Sequence, residues 1–191
     1  MAIDSMDLTT VAAVKAITGA AATDDILTQD LITKASFWVN KFTSRILAQQ
    51  TFTEYYDGDG SDTLFLNNYP ISSITTVHQD SDRAFGVTTL VDSGDYFTCA
   101  DNRKLIGDGD SWDTGKQTIK VVYVAGYAIG SIPEDIVNAV TMLVDFWGKE
   151  YDVHRFGVTS TGSETNRITY EKNIPVEIKE MLKPYRKMVI Y

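Results

Sequence analysis

The sequence is poor in the residues that build covalent or metal-linked sites, because its 191 residues include one cysteine and two histidines. A single cysteine, Cys99, cannot form an internal disulfide, so we expect assembly in a reducing compartment. His78 and His154 are far apart, and neither lies in an HExxH motif or a Cys/His pair. That pattern argues against a zinc site. We therefore expect no metal and no cofactor.

The sequence also lacks the motifs of common enzyme classes. It has no GxSxG nucleophile motif, no GxxxxGK[ST] phosphate loop and no GxGxxG before a helix. Carboxylates are numerous in its loops, but they lie among glycines rather than in the apolar pocket that a catalytic acid needs. The sequence predicts a protein that is not an enzyme.

No apolar run is long enough to cross a membrane. The longest, residues 121–129, is interrupted by Gly126 and is much shorter than the roughly 20 residues that a membrane-spanning helix needs. The N-terminal residues MAIDSMDL include acids and no apolar segment, so we expect no secretory signal. We expect no membrane association.

Charge is unevenly distributed along the chain, whose formal net charge is −9. Residues 51–130 carry 12 acids and 5 bases, a balance of −7, whereas residues 172–191 carry 5 bases and 2 acids, a balance of +3. An acidic body argues against affinity for nucleic acid, which depends on neutralising phosphates with Lys and Arg. The basic C-terminal segment fits either a solvated helix face or a surface that docks on an acidic partner.

What the sequence does contain is a clear division into helical and β-type patterns. The 43% apolar content is sufficient for a core. A short helix is predicted over residues 10–18, ending at Gly19, and a longer one after Thr23. The buried stripe predicted for the longer helix steps by three and four residues through Leu27, Leu31, Ala35, Trp38, Phe42 and Ile46.

Between the helical regions, short β-type runs alternate with Gly, Asp and Asn. The predicted strands are 51–56, 63–66, 72–78, 86–91, 95–98, 104–106 and 117–125. The last of them is the most apolar, as expected for an interior strand.

The segment DGDGSD at residues 57–62 is open to two interpretations. In the EF-hand register of a calcium loop, Asp57, Asp59 and Ser61 fit, but Gly is missing at position 6 and Glu at position 12. Gly and Asp also favour tight turns. We therefore predict a hairpin turn at Asp57, Gly58, Asp59 and Gly60, joining 51–56 to 63–66. A calcium-binding β-module for adhesion is the alternative from a different class.

After residue 130 the helical pattern returns. Ser131 and Glu134 form a predicted capping box for a core helix that ends near Gly148. Residues 155–173 are predicted to be a flexible loop or an extended arm. Pro175 is predicted to start a final helix that Pro184 kinks or ends.

The predicted class is α+β. One domain, 1–191, has a bundle of about four helices with a β-rich insertion between the second and third main helices. It comprises N-terminal helices (1–50), the insertion (51–130), a core helix (131–150), the loop or arm (155–173), and a C-terminal helix and tail (175–191).

The order of these elements resembles a known family over residues 8–147. LTTVAAVKAITG and DDILTQDLITKASFWVNKFTSRIL are followed by YYDGDGSDTLFLNNYPISSITTV and then by IKVVYVAGYAIGSIPEDIVNAVTMLV. This order is similar to that of the gp6-like head–tail connector, or adaptor, proteins of long-tailed bacteriophages. The resemblance rests mainly on the Asp-Gly turn followed by LFLNNYPISSI and on the junction YVAGYA…IPEDI.

The resemblance implies a structural virion protein at the head–tail interface, assembled in the host bacterial cytoplasm. Its copies would form a ring, commonly of twelve, between the portal and the stopper or tail-completion protein. Double-stranded DNA would pass through without sequence-specific binding. Another head- or tail-completion protein of the neck is the near alternative.

The C-terminal segment of such adaptors often engages the portal. The expected partner-contact residues are therefore Ile178, Met181, Leu182, Tyr185, Arg186 and Lys187. Ordinary packing within the chain's own helices is an equal alternative for the four apolar residues.

Overall fold

The computed structural model describes residues 6–19, 25–99, 103–152, 160–161, 168–169 and 173–187. The chain divides into two compact units, a helical unit (Met1–Arg45 and Ile129–Tyr191) and a β unit (Ile46–Ala128). Within the described residues there are four α-helices and two three-stranded antiparallel sheets. The predicted α+β class is therefore confirmed.

The helical unit contains α1 (Val11–Thr18), α2 (Asp25–Thr43), α3 (Glu134–Asp152) and α4 (Val176–Leu182). The hydroxyl of Thr10 accepts a hydrogen bond from the Ala13 amide and caps α1, which ends at Gly19 in the left-handed conformation. The helices pack on one another. The apolar residues buried here include Val14, Leu31, Ile32, Ala35, Val39, Ile136, Ala139, Val140, Leu143, Ile178 and Leu182.

The buried face of α2 is rotated from the predicted stripe. Leu31 and Ala35 are buried as predicted, but Trp38 and Phe42 are only half-buried, and Ile46 lies beyond the helix in the β unit. The face that is buried instead includes Ile32, Val39 and several small polar residues: Thr28, Ser36, Asn40 and Thr43. A count of apolar residues misses such positions, because small polar side chains also fit a helix contact.

The capping box predicted at Ser131 is not formed. Helix α3 begins at Glu134, and the Pro133 carbonyl accepts the amides of Ile136 and Val137. Glu134 is therefore the first helical residue rather than the third, and Ser131 lies too far upstream to cap the helix. The helix also continues past Gly148 to Asp152.

The C-terminal helix agrees with its predicted limits, because α4 follows Pro175 and gives way to a 3-10 turn, Lys183–Tyr185, that contains Pro184. Within the predicted loop or arm, β7 (Ser160–Thr161) pairs antiparallel with β8 (Ile168–Thr169). The rest of that prediction, residues 155–159, 162–167 and 170–172, lies outside the described residues.

The β unit consists of two three-stranded sheets. The first has the order β1 (Gln50–Gly58), β6 (Gly115–Ala125), β3 (Ile71–Gln79); the second has the order β2 (Thr63–Phe65), β5 (Lys104–Gly107), β4 (Tyr96–Thr98). Strand β6 is interior, as predicted. The strand predicted over 86–91 is wrong, because this segment holds a 3-10 turn, Val87–Thr89.

Both sheets contribute to one hydrophobic core. Its buried residues are Leu64, Leu66, Ile71, Val77, Leu105, Trp112, Ile119, Val121, Tyr123 and Ala125. The four inward-facing residues of β6 belong to this core, which explains why its sequence is so apolar.

The predicted hairpin is wrong. Strand β1 pairs with β6, and β2 pairs with β5, so residues 57–62 lead from one sheet to the other. Asp57 and Gly58 are the last residues of β1, and Asp59 and Gly60 lie in the connection. Pairing with β6 uses the full length of β1, whereas β2 offers only three residues. Turn chemistry indicates a change of direction but does not identify the partner strand.

Candidate interaction surfaces

Two loops with similar Asp/Gly composition hold each other at one end of the β unit. We call residues 57–62 and 107–115 together the acidic double loop. The Trp112 amide donates to the Ser61 carbonyl (2.8 Å), and its indole Nε1 donates to the Asp62 carbonyl (2.9 Å). The Gly107 amide also donates to the Asp62 carbonyl (2.8 Å). Trp112 is buried, and its two hydrogen bonds to residues 61 and 62 fasten the two loops together.

Glycine is required where the two loops meet. A Cβ atom at Gly58 would lie 1.7 Å from the Asp113 carbonyl oxygen, which no side chain can tolerate. The sequence pattern that suggested a hairpin thus serves a close backbone contact between distant segments.

The carboxylates of residues 57–62 accept hydrogen bonds from the protein itself. Asp59 accepts from the hydroxyl (2.6 Å) and amide (2.9 Å) of Ser61, and Asp57 accepts from the Gln117 amide (2.8 Å). The Ser61 hydroxyl, with its amide, lowers the pKa of Asp59 below its usual range. These are turn-stabilising contacts. In the part of the chain that the structure describes, no group of three His, Cys, Asp or Glu side chains could hold a metal ion.

The double loop is strongly acidic. Six aspartates lie in its two segments, all six are exposed, and the segments contain no Lys or Arg; the acids are Asp57, Asp59, Asp62, Asp108, Asp110 and Asp113. This end of the β unit therefore presents a concentrated negative surface.

A hydrogen-bond network around Glu54 explains the LFLNNYP motif. The Tyr123 hydroxyl donates to Glu54 Oε2 (2.6 Å), and the Asn68 side-chain amide donates to Glu54 Oε1 (3.0 Å). Tyr56 also hydrogen-bonds Glu54 through its hydroxyl. The backbone amides of Asn67 and Asn68 donate to the hydroxyls of Tyr56 (3.0 Å) and Tyr123 (3.1 Å). The two asparagines thus tie the segment after β2 to the first sheet.

Burial raises the pKa of both tyrosines above the ordinary value of 10.0, and the hydrogen bonds to Glu54 act in the same direction. Both hydroxyls remain protonated at neutral pH, so each can donate to the Glu54 carboxylate. Sequence analysis missed this network, because its members lie up to 69 positions apart.

The C-terminal segment divides into buried and accessible residues. Of the six predicted partner contacts, Ile178 and Leu182 are completely buried within the helical unit. Their helical spacing reflects core packing, so they are corrected to core residues. Met181 and Tyr185 are half-buried, and Arg186 and Lys187 are exposed.

The end of this segment lies against the C-terminal half of α2. Trp38 and Phe42 stack, with ring centroids 5.2 Å apart and planes 13° from parallel. The Arg186 guanidinium lies 5.4 Å from the Phe42 ring centroid, and the Lys187 amide donates to the Thr43 carbonyl (2.8 Å). We call Trp38, Phe42, Arg186 and Lys187 the aromatic–arginine patch. Next to it in sequence, Phe37 is 65% exposed.

None of the described helices has the length and apolar character needed to cross a membrane.

The chain is similar to solved neck structures of gene transfer agent (GTA) particles. One match is a chain from the neck of an empty GTA particle, computed with C6 symmetry. The alignment covers 100% of this chain and 95% of that chain, with a TM-score of 0.66 and 16% sequence identity. A chain from the native particle's neck, computed with C12 symmetry, matches with 94% coverage of that chain, a TM-score of 0.65 and 16% identity. A chain from the virion of the native particle matches with a TM-score of 0.64, 16% identity and 95% coverage of that chain.

At this identity the likeness establishes the fold alone. No curated protein matches the sequence. The model of one protein family, described as head completion protein, matches residues 7–188. Because that match spans nearly the whole chain, the protein belongs to the head completion protein family, which confirms the resemblance found in its sequence.

Proposed function

We propose that this protein is a non-enzymatic structural component of a phage-like neck, in which its copies form a ring between the portal and the stopper or tail-completion protein. The observation that carries the proposal is the match of the family model to residues 7–188. The full-length fold match to neck chains of GTA particles supports it.

The subunit number proposed is twelve. The native GTA neck was computed with C12 symmetry and the empty one with C6 symmetry, and chains of both share this fold. A ring requires heterologous contacts, in which two different faces of each copy meet. In this arrangement the helices form a bundle that carries the β unit as an insertion, and double-stranded DNA passes through the channel.

The acidic charge of the chain supports passage of DNA without sequence-specific binding. Phosphates are attracted by Lys and Arg, and residues 51–130 carry an excess of seven acids over bases (12 against 5). A protein whose net charge, −9, has the same sign as that of DNA does not attract its phosphates. The proposed location is the virion, at the head–tail interface, after assembly in the bacterial cytoplasm.

Portal contact is proposed for the half-buried residues of the C-terminal segment. Ile178 and Leu182 are completely buried in the helical unit, so the proposed portal contacts are Met181 on α4 and Tyr185 on the following turn. A half-buried aromatic beside a methionine is a common interface composition.

Electron microscopy of the full chain, alone and mixed with its cognate portal protein, tests the proposal. We expect rings stacked coaxially on the portal, and the same density at the neck of particles from an infected host. When the gene is deleted, we expect the host to produce DNA-filled heads that fail to join tails. Absence of the polypeptide from purified necks would refute the proposal, whereas a monomer without portal would not, because the portal is the expected template.

A further inference from the structure

We infer that the aromatic–arginine patch of one copy docks on the acidic double loop of a neighbouring copy. This inference rests on the proposed ring, and it names the two faces whose contact closes that ring. The observations that carry it are the composition of the patch, the charge and rigidity of the double loop, and their complementarity.

The patch has the composition of a protein–protein contact rather than that of a solvated helix face. Trp38 and Phe42 stack while remaining half-exposed, and Arg186 covers the Phe42 ring. Trp, Phe and Arg are enriched at the energetic centres of interfaces. No carboxylate in the described part of the chain forms an ion pair with Arg186, so its charge is available to a partner.

The patch is also held in place before any partner arrives. The Lys187 amide is bonded to the Thr43 carbonyl at the end of α2, and Leu182 anchors α4 in the core. A surface already ordered in the free subunit loses little conformational entropy on binding.

The double loop offers the complementary surface. Its six aspartates are exposed without an interspersed cation, and Trp112 and Gly107 fasten its two segments through Ser61 and Asp62. Fixed like charges repel one another, so a cationic partner relieves that repulsion as well as adding attraction.

The contact is heterologous, because a positive face meets a negative face elsewhere on the chain. Such contacts propagate from copy to copy and close into a ring when the rotation permits. The inference assigns Arg186 and Lys187 to the neighbouring copy and leaves Met181 and Tyr185 to the portal.

Charge exchange between the two faces tests the inference. The patch variant carries Arg186→Glu and Lys187→Glu. The loop variant carries Asp62→Lys, Asp108→Lys, Asp110→Lys and Asp113→Lys, which leave two aspartates and four lysines in the double loop and so reverse the sign of its charge. The control for the patch variant is Arg83→Glu with Lys149→Glu. It makes the same change of net charge at two exposed positions outside both faces. Each full-length protein is mixed with portal, and rings are counted by electron microscopy after circular dichroism has confirmed folding.

We expect each variant alone to form at least tenfold fewer rings than the wild type, and the control to match the wild type. An equimolar mixture of the two variants should recover rings, because the reversed patch of one then meets the reversed loop of the other. The chain with all six substitutions, in which both faces are reversed, should recover them as well. Wild-type rings should also become fewer as salt rises.

Rings formed by the patch variant at the wild-type level, or no recovery in the mixture, would overturn the inference while the proposed ring stands. If the patch variant instead loses binding to the portal as a single copy, the patch faces the portal and the inference is wrong. If wild-type chains form no ring on the portal at all, it is the proposed function that fails.

Discussion

The β unit and the helical unit treat buried hydroxyl groups differently. In the β unit, Tyr123 is fully buried. Its hydroxyl donates a hydrogen bond to the Glu54 carboxylate and accepts one from the backbone amide of Asn68. In the helical unit, the hydroxyls of Thr9 and Thr141 are buried without a hydrogen-bond partner among the described residues. The Tyr123 hydroxyl of the β unit is thus paired, whereas the helical unit has both paired buried hydroxyls, such as that of Thr43, and these two unpaired ones. Removing a hydroxyl should accordingly destabilise the protein at Tyr123 and stabilise it at Thr141.

The largest expected effect is that of removing Trp112. Trp112→Ala deletes a buried ring and the bond from its indole to the Asp62 carbonyl, so we expect the free energy of unfolding to fall by about 3–5 kcal/mol. Chemical denaturation followed by circular dichroism measures this. Trp38→Ala, in the half-buried patch of the helical unit, is the control and should cost much less. Equal losses would show that the double loop is not fastened by Trp112.

The next effect is that of the Tyr123 hydroxyl. Tyr123→Phe leaves the backbone amide of Asn68 without its acceptor and removes one of the two tyrosine hydroxyls that donate to Glu54 Oε2. We expect a loss of about 2 kcal/mol in the free energy of unfolding. Tyr55→Phe is the matched control, because Tyr55 is exposed on the same sheet and should change stability by less than about 0.5 kcal/mol. Similar values for the two substitutions would contradict the role of the Glu54 network.

Alkaline titration tests the same network in another way. The pKa values of Tyr56 and Tyr123 are raised in the folded protein by burial, so the unfolded chain loses these protons first as pH rises. The contribution of these two tyrosines to the free energy of unfolding is complete below about pH 10. Above that pH it falls by about 1.4 kcal/mol per pH unit for each group. Urea denaturation between pH 9 and about 11 should show a shallower fall for the Tyr56→Phe/Tyr123→Phe variant. An unchanged slope would assign the alkaline loss to other groups.

The smallest expected effect has the opposite sign. Thr141→Val replaces a buried, unpaired hydroxyl with a methyl group of similar size, and we expect the free energy of unfolding to rise by about 1 kcal/mol. Thr43→Val serves as the contrast in the same unit, because the buried Thr43 hydroxyl donates to the Val39 carbonyl (2.9 Å) and its loss should destabilise. Thermal denaturation of both variants measures the difference, and destabilisation by Thr141→Val would remove the contrast between the units.

Local patterns in the sequence were reliable where structure depends on near neighbours. The α1 helix with Gly19 at its end, the interior strand β6 and the limits of α4 were all predicted, since caps, prolines and apolar periodicity act within a few residues. The Ser131 capping box failed although its motif is local, because helix α3 starts at Glu134, three residues after the predicted cap.

The candidate surfaces were less predictable than the elements that carry them. Arg186 and Lys187 were expected at a contact surface and are exposed, but Ile178 and Leu182 have the same helical spacing and are buried. Spacing alone does not distinguish a core face from an interface. The contact of Arg186 with Phe42 joins residues 144 positions apart (186 − 42), and no pattern in the sequence predicts it.

The sequence by itself determined the α+β class, the position of most helices and the acidic and basic regions, because these depend on composition and short-range periodicity. The tertiary structure decided that β1 pairs with β6 rather than with β2, that two Asp/Gly loops are fastened by Trp112, and that the C-terminal arginine covers an aromatic ring of α2. Each of these is a contact between distant residues, whose energy depends on which surfaces meet after folding rather than on the residues that flank them.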